Sequence, residues 1–241
     1  MCDIKLKTSP FRPTLFSLRH LTPSHLTPSH LILSHLALLF LLCGCGSGLS
    51  PPEENAQVLF VALDGTGSYD HLRQAKRGAV QALEKAPPGS KVYVRWITGN
   101  SAAPEAAVGS AYIPPGAENP YDTGGESRSA KKKLARSIAQ ATSPESKTTD
   151  LQGLIWAASK RFEKHPKLSR KLLLATDLRG NSGRDFPEAD LTGASVRVVG
   201  FEVDPSRPRR EGKWKKAFRE AGADTTTVRY LDRPGRNSAQ P

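Results

Sequence analysis

From Gly46 to Pro241 the chain has no cysteine; its three cysteines are Cys2, Cys43 and Cys45. That excludes a disulfide within the folded part and any cysteine-based zinc site there. Histidine is nearly as scarce. His20, His25, His30 and His35 fall near the N-terminus, leaving only His71 and His165 for the rest. A soft or borderline metal is therefore poorly supplied, and any ion held by the domain is expected to be hard and oxygen-seeking. Long apolar runs are missing too. The best, LILSHLALLFLL at 31–42, falls short of the ~20 residues a membrane-spanning helix needs.

What is present fits one good-sized soluble domain with extras: 241 residues, 37% hydrophobic and 24% charged. The net charge is +12, from 35 Lys and Arg against 23 Asp and Glu. A chain this basic favours anionic surfaces or partners, although charge alone names none. The run at 31–42 has the length of a signal-peptide core and is followed by Leu42-Cys43-Gly44-Cys45. This resembles the lipobox of bacterial lipoproteins, with Cys43 where Ala or Ser is commoner. The resemblance implies cleavage before Cys45, acylation at that residue and lasting membrane attachment through several acyl chains. Residues 1–44 are thus expected to be a leader with a low-complexity extension, HLTPSHLTPSHL, and 45–55 a polar Gly/Pro-containing tether. The folded domain is expected over 56–232, with a flexible polar tail at 233–241. The cell envelope is the expected location.

Within the domain, QVLFVALD (57–64), KVYVRWIT (91–98), LLLATD (172–177) and SVRVVGFEV (195–203) read as buried strands, and TTTVRYL (225–231) as a peripheral one. Helical spacing of apolar residues marks 69–86, 127–142, the stretch containing Leu151, Leu154, Ile155, Ala158 and Phe162, and 211–221. The stretch 99–126 reads as irregular, with SAYIPP as a candidate edge strand. Strands alternating with amphipathic helices imply an α/β fold, a Rossmann-like doubly wound and mostly parallel sheet flanked by helices. Ligands bind such sheets at the carboxyl ends of strands. Asp64 and Asp177 end two of them and are expected on one rim.

Three stretches then fall into a pattern: Asp64-Gly65-Thr66-Gly67-Ser68 after the first strand, Thr149-Asp150-Leu151 opening a helix, and Ala175-Thr176-Asp177 after a later strand. In order and spacing the chain resembles the von Willebrand factor A (vWA, integrin I-like) domains over about residues 56–232. The resemblance implies a metal-ion-dependent adhesion site (MIDAS) held by Asp64, Thr66, Ser68, Thr149 and Asp177. Its ion would be Mg²⁺, or Mn²⁺ or Ca²⁺, and a partner's Asp or Glu would complete the coordination shell. Thr66 stands where Ser is commoner, and Thr148 is an alternative to Thr149. Leu178 stands where Gly is frequent, which leaves the shape of that loop open. Gly65 and Gly67 are expected to let the backbone turn sharply.

Rival readings weaken on particular residues. DGT suggests a haloacid-dehalogenase-like, metal-dependent phosphohydrolase, but the aspartyl nucleophile's position is Ala62. A dinucleotide turn needs G-x-G-x-x-G, and after Gly65 and Gly67 that place is Asp70, whose charge repels a pyrophosphate. The clusters around Lys131-Lys132-Lys133, Arg207–Arg210 and Lys213–Lys216 raise a basic nucleic-acid-binding domain as a weaker alternative. For an exported chain they fit a solvated face, lipid headgroups or anionic envelope polymers better. His71 and His165 are expected at the surface, and Trp96, Trp156 and Trp214 in or near the core. No residue is poised as a nucleophile or base, so a non-enzymatic binding module is the expected function.

Overall fold

A computed structural model describes residues 55–115, 124–180, 188–201 and 206–230. The chain divides into Met1–Leu49 and Ser50–Pro241, and the described residues all belong to the second unit. The leader, Cys45 and the tail lie outside them. No helix among the described residues is long and apolar enough to cross a membrane.

The apolar run QVLFVALD forms strand β1 (Gln57–Asp64), buried at every position. Burial on both faces is the signature of a central strand in a parallel sheet. In chain order there follow α1 (Leu72–Glu84), β2 (Lys91–Ile97), a 3-10 turn (Pro104–Ala106), β3 (Ala107–Tyr112) and α2 (Gly125–Gln140). Then come α3 (Leu151–Glu163), β4 (Ser169–Ala175), β5 (Ala194–Phe201), α4 (Arg207–Glu220) and β6 (Thr225–Tyr230). The six-stranded sheet has the order β3-β2-β1-β4-β5-β6. Only β3 runs antiparallel to its neighbour. The fold is the expected doubly wound α/β class.

Alternation along β1 divides the core. Val58, Phe60 and Ala62 pack with α3 and α4. Leu59, Val61 and Leu63 face the other way, onto α1 and α2. Several boundaries differ from the sequence reading. β4 starts at Ser169 because Ser169, Arg170 and Lys171 pair with β1 despite being polar, so Asp177 lies two residues beyond the strand. α1 begins at Leu72, not Tyr69, because Tyr69 N–H is spent on the Thr66 carbonyl in a turn. α4 begins four residues earlier than its apolar spacing indicates, with a proline in its first turn. The stretch after β2 is ordered by buried Arg95, which donates to the carbonyls of Ser101, Ala102 and Ala103. His71 is buried, not exposed, with its ring edge-on to Tyr69 at 5.9 Å. His165 is half-buried and hydrogen-bonded to the Tyr93 hydroxyl at 2.9 Å. Of the tryptophans, Trp96 and Trp214 are buried and Trp156 is 41% exposed.

Two lysines of the basic surplus have structural work. Lys131, early in α2, donates to the carbonyls of Glu84 and Ala86 at 2.8 and 2.7 Å. Lys76, early in α1, donates to the carbonyls of Ala139 and Ala141 at the end of α2. Each ammonium thus sits at the negative C-terminal end of the other helix, where orphan carbonyls need donors. Lys76→Met and Lys131→Met should each cost about 1 kcal/mol and lower Tm by about 2–4 °C. Lys132→Met and Lys133→Met, whose residues are exposed, should change Tm little. Thermal melting of the four variants checks this.

Candidate functional site

β1 ends on Asp64, between β2 on one side and β4 on the other. The chain leaves β1 for β2 but returns to β4 on the opposite flank. The carboxyl end of β1 is therefore a topological switch point, where such sheets open a crevice. Asp64 is only 2% exposed. Its Oδ1 accepts from the Thr66 amide at 3.0 Å and the Thr66 hydroxyl at 2.6 Å. Its Oδ2 accepts from the Thr176 hydroxyl at 2.6 Å. Burial pushes the carboxyl above its ordinary value of 3.8, and the negative charge of Asp177 pushes the same way, while hydrogen bonds from Thr176 and Thr66 pull against them.

Beyond Thr66 the chain presents Ser68, exposed, with the two hydroxyl oxygens 3.4 Å apart. A second loop is laid alongside. Thr66 and Ser146 form a parallel bridge, Ser146 N–H donates to Gly65 O, and Gly67 N–H donates to Ser146 O. Ser143 Oγ adds a bond to Gly65 O at 3.0 Å. The Ser146 hydroxyl accepts from Gly99 N–H, beyond β2, and donates to Thr148 O. The segment then reaches Thr149, which is buried, whereas Thr148 is exposed. Asp150 is the N-cap of α3: its Oδ1 accepts from Gly153 N–H at 2.8 Å, and its Oδ2 from Ser101 N–H.

The third loop carries Thr176 and Asp177. Leu178 has a φ of 58°, the left-handed region where glycine is at ease. The loop therefore takes a glycine-like turn without a glycine. Leu178 is held there by burial of its side chain and a bond from its N–H to Thr176 Oγ1. A further bond joins Trp214 Nε1 of α4 to the Leu178 carbonyl at 3.1 Å. Asp177 accepts the Arg179 N–H on Oδ1 at 2.9 Å and pairs with Arg179 Nε through Oδ2 at 3.0 Å.

Hydrogen bonds join Asp64, Thr66 and Ser68, the charge of Asp177 acts on Asp64, and Thr149 is buried three residues beyond Ser146, which bridges Thr66. Three residues were not singled out from the sequence: Thr176, which bonds Asp64; Ser146, which links the loops; and Arg179, which pairs with Asp177. Thr176 sits inside the quoted Ala-Thr-Asp motif and was legible as a hydroxyl beside an acid, while Ser146 and Arg179 carry no sequence signal. The reason for the motif's glycines is corrected. Neither Gly65 nor Gly67 has a positive φ. A Cβ on Gly65 would lie 2.8 Å from Pro144 Cδ, whereas one on Gly67 would meet nothing.

The donor set is two carboxylates and hydroxyls, with neither nitrogen nor sulfur. Among the described residues there is no cluster of three or more His, Cys, Asp or Glu side chains. Oxygen donors of this kind suit a hard divalent ion. Thr66 gives its hydroxyl proton to Asp64, which leaves the oxygen's lone pairs available to a cation. The residues present fit such an ion.

No protein-family model matches the chain, and the search of curated proteins finds no match. Solved structures align with it at low identity and with TM-scores below 0.5. Proximal thread matrix protein 1 of the mussel byssus, in a structure with a zinc-occupied MIDAS motif, has 13% identity and a TM-score of 0.45, over 73% of this chain and 44% of that one. An aerotolerance-related membrane protein of Bacteroides fragilis has 16% identity and a TM-score of 0.43, over 77% and 94%. The PilB minor pilin of Streptococcus sanguinis, as its D319A mutant, has 13% identity and a TM-score of 0.45, over 73% and 57%. The chain spans less than half of the mussel protein's length.

Two predictions follow from this geometry. Gly65→Ala should destabilise the domain by about 1–3 kcal/mol through overpacking against Pro144, and Gly67→Ala should be tolerated; denaturant melts distinguish them. The Asp64 carboxyl is raised above its unfolded value of about 3.9, so the folded state binds more protons between the two values. Cation-free stability should therefore fall as pH rises through that window, with the loss complete above the folded value. Asp64→Asn should remove this fall and melt above cation-free wild type at pH 7, measured by thermal unfolding in chelator.

Proposed function

We propose that the domain is a binding module that holds a divalent cation at Asp64, Thr66, Ser68, Thr149 and Asp177 and engages an acidic side chain of a protein partner through it. In the same reading Cys45 bears the lipid anchor, and the domain is displayed in the cell envelope. The observation that supports this best is the hydrogen bonding of Asp64. Both its oxygens already accept hydroxyl or amide protons, so it is placed to orient neighbouring hydroxyls rather than to attack a substrate. That favours a binding role over a phosphohydrolase. The ion would supply the positive charge that a partner's carboxylate seeks, while the chain's residues position it and exclude bulk water on the buried side. Magnesium, manganese and calcium all suit these oxygens.

The test is a titration of the full chain. At a cation concentration about a hundredfold above Kd, linkage gives roughly 2.7 kcal/mol, a rise in Tm of about 5–10 °C. Asp64→Ala and Asp177→Ala should abolish the rise, and capture of an envelope partner should fail in chelator and in both variants. Magnesium-dependent turnover of a phosphate ester, lost in Asp64→Ala, would overturn the binding reading in favour of hydrolysis.

A further inference from the structure

The two faces of the sheet are covered unequally. On the side of Leu172, Leu174, Val196 and Val198, helices α3 and α4 close the core. On the other side α1 and α2 pack over the β1–β2–β3 half. Of the described helices only α1 reaches the β4–β5 part of that face, at its edge. Leu173 and Val199 are half-buried and Lys171, Ser195 and Arg197 exposed. In register with β5, β6 continues the face with Thr225, Thr227 and Arg229, all exposed. An α/β sheet ordinarily buries both faces under helices, and among the described residues nothing beyond α1 covers this half.

It is also recessed. Between α1 and β5 runs a groove with a cavity of about 360 Å³, its floor formed by Val61, Leu173, Ala175 and Val199. A second cavity of about 320 Å³ extends it towards Gln57 and Lys171. The α1 wall presents Arg77, Gly78, Gln81 and Lys85. A Cβ on Gly78 would meet nothing within 4 Å, so the wall opens onto free space. The charges have one sign. Arg77 and Lys85 rim one side and Lys171 and Arg197 the other, and no Asp or Glu lines either cavity. An apolar floor between two cationic rims matches the apolar stripe and acidic flanks of an amphipathic helix. A membrane surface meets the rims but not the recessed floor. The chain's own tail is a poor match, since 231–241 carries Arg233 and Arg236 against Asp232 alone.

We propose that this groove is the docking site for an acidic amphipathic helix of a protein partner, which lies beside α1 over the part of β4–β6 that no described helix covers. It is independent of the cation site and requires no ion.

The experiment uses the full chain in chelator and a fluorescein-labelled synthetic helix with leucines and alanines on one face and glutamates on its flanks. Anisotropy should report saturable binding that weakens with salt. Arg77→Glu/Arg197→Glu should weaken it at least tenfold. Gly78→Phe, which fills the groove from a position with open space, should do the same with an unchanged melting temperature. A peptide with lysine in place of glutamate should not bind. The proposal is overturned if the acidic peptide does not bind, or if the charge-reversal variant binds it as wild type does. It is equally overturned if vesicles of anionic phosphatidylglycerol bind the chain and the peptide does not. Should Gly78→Phe fail to fold, the charge-reversal arm alone decides.

Discussion

Asp64 puts a carboxylate at the end of a strand whose eight positions are all buried. An ionised group there must be surrounded by donors, because unpaired burial of a charge costs several kcal/mol or more. Thr66 and Thr176 supply them, and doing so determines where two loops go. Thr66 curls the chain back over its own strand, and Thr176 ties the end of β4 to the end of β1. Ser146 then fastens the second loop to the first. The arrangement around the carboxylate is a response to one solvation problem, and the same response gathers oxygen-bearing side chains at one rim.

Elsewhere the basic composition proves less free than it looks. Lys76 and Lys131 close the ends of an antiparallel helix pair, and Arg95 organises the turn after β2. These cations serve carbonyl groups, not a ligand. The charge that remains on the open half of the sheet is a different matter. Arg77, Lys85, Lys171 and Arg197 flank apolar surface and have no ion-pair partner among the described residues.

Much of this was legible beforehand. The strands announced themselves as short apolar runs bounded by acids, prolines or glycines, and their alternation with helical stripes carries the parallel sheet. The order of the Asp64, Thr149 and Asp177 motifs placed three loops at one end. What stayed illegible depends on contacts distant in sequence. Polar Ser169–Lys171 joins β4 only because β1 offers a free edge. The need for Gly65 arises from Pro144, some eighty residues away. Nor does any local signal say that His71 is buried or that Lys131 reaches the end of α1.

Leu178 shows how far the rim's geometry is underwritten from outside it. A branched residue in left-handed backbone holds that shape only while its surroundings insist, and part of the insistence comes from Trp214 on α4, in the same core cluster. The orientation of Asp177 is therefore tethered to the seating of α4. A small rotation of that helix would slacken the tether and let the backbone relax, so the packing of α4 has mechanical leverage over the placement of the acid.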